Sequence, residues 1–149
     1  MRLVIQRVSS AKVFVSERTV SEIGKGLFIL VGVGHEDRIE YANAVANKIV
    51  NMRLMSDKND KMNLSVKDVN GQVLVVSQFT LLGDTNYGRR PSFIHAATPE
   101  VAGKIYEKLV DSFRSHGIKV ETGEFGSYMN IEAELDGPVT ITLDYPQNV

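Results

Sequence analysis

Apolar and polar positions alternate in part through residues 2–15, where Leu3 and Ile5, then Val13 and Val15, alternate with other side chains and β-branched types recur. A period of two predicts a strand with one covered face. Residues 18–23 read as its hairpin partner. Gly24-Lys25-Gly26 then turns the chain into Leu27-Phe28-Ile29-Leu30-Val31-Gly32-Val33, a continuous apolar run of the kind covered on both faces. A helix follows. Asp37 and Glu40 have capping-box spacing, with Asp in place of the usual Ser or Thr, and Ile39, Ala42, Val45, Ala46 and Ile49 recur at helical intervals.

Residues 56–71, with Asp57, Asn59, Asp60, Asn63, Asn70 and Gly71, read as loop and turn. Gln72 to Phe79 predicts a second buried strand. Gly83 to Ala97 shows little periodicity, and a long irregular loop in a small domain is often functional. Thr98-Pro99-Glu100 is a strong helix start. Val101, Ala102, Ile105, Leu109 and Phe113 form that helix's buried stripe, and Gly117 its stop. Strands are expected at about 118–123, 128–135 and 139–144, separated by Gly123 to Ser127 and by Asp136-Gly137-Pro138. The order ββ, βα, βα, βββ predicts one α/β domain over 1–149, built of mixed layers.

Composition changes this picture little. The chain has 149 residues, 43% hydrophobic and 23% charged, ordinary values for one globular domain. No apolar run approaches the roughly 20 residues that span a bilayer. Arg2 and Arg7 interrupt what would be a leader's apolar core. Cysteine is absent, which excludes disulfides, thiolate nucleophiles and thiolate metal sites, and the cytoplasm is the expected compartment. The net charge of −1 is no general signature of nucleic-acid binding. An RNA substrate would have to be met by a local basic patch.

Familiar catalytic kits are missing. His35, His95 and His116 lack paired metal-ligand spacing and read as surface or loop histidines. Gly24-x-Gly26 and Gly32-x-Gly34 lack the rest of a dinucleotide or phosphate loop, and no Gly-x-Ser-x-Gly elbow is present. Neither metal nor cofactor is expected.

Polar insertions at apolar strand ends remain. Ser77-Gln78-Phe79-Thr80-Leu81 follows Val73 to Val76. Its hydroxyls and amide can line a pocket with donors, or can simply satisfy a strand terminus. Asp136-Gly137-Pro138-Val139-Thr140 reads as a turn between strands or as a shaped element of a site. Gly88-Arg89-Arg90-Pro91-Ser92-Phe93 is a solvated loop or a phosphate and base contact. Phe125 and Met129 are core packing or the walls of an adenine slot.

Together these segments resemble the D-aminoacyl-tRNA deacylase family. The likeness is carried by Ser77-Gln78-Phe79-Thr80-Leu81 and Gly137-Pro138-Val139-Thr140, and extends from the first strand to about Leu143. Ile5-Gln6-Arg7-Val8, Lys61-Met62-Asn63-Leu64, Arg90-Pro91-Ser92-Phe93 and Thr122-Gly123-x-Phe125 support it. The resemblance implies a homodimer of three-layer β/β/α protomers with active sites at the dimer interface. It also implies a cis Gly137–Pro138 peptide inserted into the partner's pocket. There the two carbonyls would exclude an L side chain from the substrate's α-carbon. The substrate would be the 3′ aminoacyl end of a tRNA, carrying a D-amino acid or glycine mischarged on tRNA(Ala). Ser77, Gln78, Phe79 and Thr80 are the expected catalytic segment. Phe125, Met129, Arg89 and Arg90 are the expected adenosine and tRNA contacts.

An activated ester beside a ribose 2′-hydroxyl hydrolyses slowly even in water, so positioning and oxyanion stabilisation can suffice. On that expectation the backbone N–H groups near Phe79 and Thr80 hold the oxyanion, and the RNA's own 2′-hydroxyl orients or activates the water. The rival makes Thr80 a covalent nucleophile, which needs a neighbouring base. A different class, a non-catalytic RNA-end-binding module, is separated from both by turnover.

Overall fold

The computed structural model describes residues 1–147. Strand β1 (Arg2–Val15) organises the sheet. Along one edge its first half pairs antiparallel with β3 (Gly26–Gly32) and its second half with β2 (Arg18–Ile23). Along the other edge it pairs antiparallel with β8 (Asn130–Asp144). Parallel pairing then continues from β3 to β6 (Gln72–Ser77) and on to β7 (Val120–Thr122). The result is a mixed sheet of six strands. Helices α1 (Tyr41–Asn51) and α2 (Pro99–Arg114) supply the crossovers that parallel neighbours require.

The sheet buries apolar side chains on both faces. Leu3, Ile5, Ile29, Val73 and Val75 meet Val45, Ile49, Ile105, Leu109 and Phe113 of the two helices. A second cluster gathers Val8, Ala11, Val13, Ile23, Phe28, Leu74 and Val76. Alternation assigns the two sets: Leu74 and Val76 point one way, Val73 and Val75 the other. Each such fully buried side chain contributes about 1.5–3 kcal/mol. Double-sided burial explains why β3 and β6 read as unbroken apolar runs. Among the described residues no helix is long and apolar enough to cross a membrane.

Several expectations are corrected, among them Val101, placed in the buried stripe of α2 but 44% exposed in its first turn. The first helix begins at Tyr41, because Asp37 turns its carboxylate onto the Gly34 N–H at 2.7 Å and no side chain caps the start. The loop expected over 56–71 holds a small antiparallel pair, β4 (Met55–Ser56) and β5 (Met62–Leu64). The strand expected to reach Phe79 stops at Ser77, and Phe79–Leu82 form a 3-10 turn. Asp136-Gly137-Pro138 does not separate two strands. Residues 130–144 form one strand, because β1 pairs with it on both sides of the interruption. The second helix begins at Pro99 as expected, and Gly117, with φ of +74°, ends the turn that follows it.

Candidate active site at the strand ends

The parallel strands β3, β6 and β7 point their carboxyl ends the same way. Such edges commonly receive ligands, since the ladder stops there and leaves backbone groups unengaged. Strand β6 ends because Gln78 leaves extended geometry, with φ −146° and ψ 85°, while its N–H still donates to the Val31 carbonyl at 2.7 Å. The chain then tightens, with Leu81 N–H donating to Gln78 O and Gly83 N–H to Thr80 O. A short turn of this kind cannot engage its first N–H groups. Among the described residues neither the Phe79 nor the Thr80 N–H donates to a backbone carbonyl.

Side chains complete this end. Phe79 is 55% exposed, an unusual degree of exposure for a large aromatic side chain. Its ring meets Phe93 edge-on, with centroids 5.1 Å apart. The Gln78 side-chain amide donates to the Thr80 hydroxyl oxygen. The amide nitrogen that meets the hydroxyl has no lone pair free to take its proton, so this contact orients Thr80 without activating it.

Met129 lies on one flank of β6, against Val76, with its sulfur accepting from the Glu124 N–H at 3.4 Å. Phe125 packs on Tyr106 of α2, ring centroids 5.7 Å apart, and keeps 40% of its surface exposed. The loop carrying Phe125 is tied down by Glu124. Its carboxylate accepts from the Ser127 hydroxyl at 2.7 Å and pairs with Arg18 at 3.1 Å. Those two partners, the hydroxyl first, hold the Glu124 carboxyl below its usual pKa. Arg89 and Arg90 are exposed beyond Gly88, and no ion pair among the described residues includes them. The Asp84–Ser92 bridge closes the base of their loop, and Phe93 attaches it to Phe79.

Gly137 and Pro138 are exposed, their shared peptide bond is cis, and they lie in a wide bulge of β8. Gln6 pairs with Thr140 and Val8 with Leu135, so residues 136–139 face Arg7 alone. Arg7 is 8% exposed. Its Nε donates to Asp136 O at 3.1 Å, and its Nη1 to Leu54 O at 3.0 Å and Ser56 Oγ at 3.2 Å. The Asp136 carboxylate lies 3.2 Å from Nε and compensates the charge.

Arg7 has no role in the sequence reading beyond its motif, and Phe93 only that of the aromatic in a candidate phosphate and base contact. The signal for Arg7 was there: Leu3, Ile5 and Arg7 share one face of β1, and a cation at a core-facing position needs partners. Phe93 gave none, because its meeting with Phe79 spans an irregular loop.

Comparison with known proteins converges. The model of the family described as D-Tyr-tRNA(Tyr) deacylase matches residues 4–144. A D-aminoacyl-tRNA deacylase of Thermosipho africanus is 51% identical over 144 residues, 97% of each chain. One from Bacillus licheniformis is 53% identical over 97% of this chain and 98% of its own. A solved structure titled c-Myc DNA Unwinding Element Binding Protein superposes with a TM-score of 0.91 at 35% identity, covering 99% of this chain and all of that one. A probable eukaryotic D-amino acid tRNA deacylase shares the fold, with a TM-score of 0.84 at 16% identity over 95% of this chain and 97% of its own.

Proposed function

The chain belongs to the D-Tyr-tRNA(Tyr) deacylase family, and from that premise we propose that it hydrolyses the ester joining a D-amino acid to the 3′ end of a tRNA. Water attacks the ester carbonyl, and free D-amino acid and tRNA leave. The family carries the reaction. The observation that carries the mechanism is the pair of N–H groups, on Phe79 and Thr80, that donate to no backbone carbonyl among the described residues, where β6 gives way to its 3-10 turn.

Those amides are the oxyanion donors in this reading, held in place before charge develops. Ser77 and Gln78 shape the pocket, and Gln78 fixes the Thr80 hydroxyl. The ribose 2′-hydroxyl of the substrate orients the water, so no protein base is required. The neighbour that Thr80 does have is a donor, which speaks against a nucleophilic role.

Chirality is judged by the carbonyl oxygens of Gly137 and Pro138, presented to the α-carbon by a second copy of the chain. A main-chain oxygen cannot rotate away from a misplaced L side chain, whereas glycine offers none to reject and is removed from tRNA(Ala) as well. Two features support a homodimer of three-layer β/β/α protomers, each a single domain over the whole chain. β8 is 15 residues long and, among the described residues, pairs with β1 alone, leaving an edge of a kind that proteins usually cover. Phe79 and Leu135, 44% exposed, lie in the elements the partner would meet. Phe125 and Met129 flank the adenine, and Arg89 and Arg90 meet RNA phosphates, in a compartment such as the cytoplasm where charged tRNA is found.

The test is turnover. Purified protein releases D-tyrosine from D-tyrosyl-tRNA and leaves L-tyrosyl-tRNA intact. Binding of both substrates without hydrolysis would make it a recognition module instead.

A further inference from the structure

Beside the strand-end site runs a second concavity, a groove of about 930 Å³ that the proposed reaction does not use. Its walls come from Gly34 to Arg38 after β3, from Leu82 to Asn86 after the 3-10 turn, from His95 and from the end of β8. Resting on the deacylase reading, we propose that this groove binds the unpaired nucleotides immediately 5′ of the esterified adenosine, with His35 and His95 as the base-stacking platform and Arg38 as the phosphate contact.

The two imidazoles are placed by backbone. Gly34 and Ala96 form a β-bridge, the His35 N–H donates to His95 O at 3.0 Å, and the Ala97 N–H donates to Val33 O at 2.9 Å. The rings are therefore neighbours by construction, with centroids 5.9 Å apart and planes tilted by 52°. Both side chains are exposed. A base sandwiched between parallel rings needs about 7 Å, two contacts of roughly 3.5 Å each. The pair is too close and too tilted for that, so a base stacks on an outer face. Stacking of this kind accepts any base.

Electrostatics select the phosphate partner. Asp37 accepts from the Gly34 N–H, Asp84 from the Asn86 N–H and side-chain amide, and Asp144 pairs with Arg2 at 2.8 Å. Asp37 is also ion-paired with the N-terminal ammonium, so among the described residues two of the groove's four carboxylates are neutralised, while Asp84 and Glu36 face no cation. Arg38 is exposed and takes part in no ion pair among them. A guanidinium beside stacking rings is the local pattern that single-stranded RNA fits, even in a chain whose net charge is −1.

Continuity with the reaction centre supplies the direction. Gly83 belongs to the groove wall, and a carbon at its Cβ position would lie 3.1 Å from the Phe93 ring. Phe93 in turn meets Phe79 edge-on. One residue layer therefore separates the groove from the proposed oxyanion donors.

The experiment compares two substrates, D-tyrosyl-tRNA and the minimal ester 3′-O-D-tyrosyl-adenosine, for the wild type and for His35→Ala with His95→Ala. The double variant is expected to lose about tenfold in kcat/KM on the tRNA, through KM, against less than twofold on the adenosine ester. Arg38→Gln is expected to flatten the dependence of log KM on log salt by about 0.7 for the tRNA. Circular dichroism verifies folding; both histidines are exposed. Equal losses on the two substrates would make the groove a subsite for the aminoacyl group and overturn the proposal, as would no loss on tRNA or an unchanged salt slope. Wild-type protein that hydrolyses neither ester removes the deacylase reading itself, and this inference with it.

Discussion

Arg7 and Asp136 are joined twice: Arg7 Nε donates to the Asp136 carbonyl at 3.1 Å and lies 3.2 Å from its carboxylate. The pair fastens the bulge of β8 to the inside of β1, directly before Gly137 and Pro138. A guanidinium is suited to this, since its rigid fork serves several acceptors at once and keeps its charge at any ordinary pH.

Arg7→Met removes the donors and leaves the Leu54 and Asp136 carbonyls to find other partners. A loss of about 2–4 kcal/mol in urea unfolding is expected. Discrimination between D- and L-tyrosyl-tRNA is expected to fall with it. Arg7→Lys, which keeps the charge and loses the fork, is expected to restore less than half of the stability.

Gly137 has φ of +126°, and a Cβ there would lie 3.0 Å from the Val139 N and Cγ2 and 3.2 Å from Arg7 Nη2. Gly137→Ala therefore costs about 1–3 kcal/mol and displaces the carbonyls that, in the proposed reading, screen the α-carbon. The ratio of D- to L-substrate turnover is expected to drop at least tenfold. Side-chain changes at Val139, by contrast, are expected to alter it little.

Thr80→Ala keeps the backbone N–H and loses the hydroxyl that Gln78 holds. Activity within about threefold of wild type is expected, the cost of one neutral, exposed hydrogen bond. Phe79→Pro removes the N–H itself and is expected to lower kcat by about a hundredfold or more. An acyl-threonine trapped at Thr80 and detected by mass spectrometry would reverse the assignment.

Tyr106 donates its hydroxyl to the Val75 carbonyl at 2.7 Å, and burial pushes its pKa up to about 12. Because the folded value lies above the unfolded one, the contribution is complete below about pH 10. It is lost as the pH rises through 12, and amounts to about 3 kcal/mol. Urea unfolding between pH 8 and 12 is expected to show this decline. Tyr106→Phe flattens it, at a cost of about 1 kcal/mol near neutrality.

The fold's periodic parts were legible. Leu27 to Val33 and Val73 to Val76 announced the double-sided strands, and Thr98-Pro99 the start of α2. What failed was whatever long-range pairing decides. Asp136-Gly137-Pro138 has the chemistry of a reversal, yet β1 holds both flanks in register and turns it into a bulge. Phe79 reads as the last residue of a buried strand, but the strand stops at Ser77 and the 3-10 turn that follows leaves it exposed. Asp37 has capping spacing, and a nearer N–H on Gly34 claims it. The motif residues themselves were visible. Their mutual placement was not, since Arg7 and Asp136 are joined only across a strand pair.

The most direct measurement is the initial rate of deacylation on D-tyrosyl-tRNA whose terminal adenosine carries a 2′-hydroxyl or a 2′-hydrogen, with L-tyrosyl-tRNA alongside. Rapid release from the ribose form, with loss of at least a hundredfold on the 2′-deoxy form and no release from the L ester, is the predicted result. Equal turnover of both D forms, or cleavage of the L ester at a similar rate, would contradict the account.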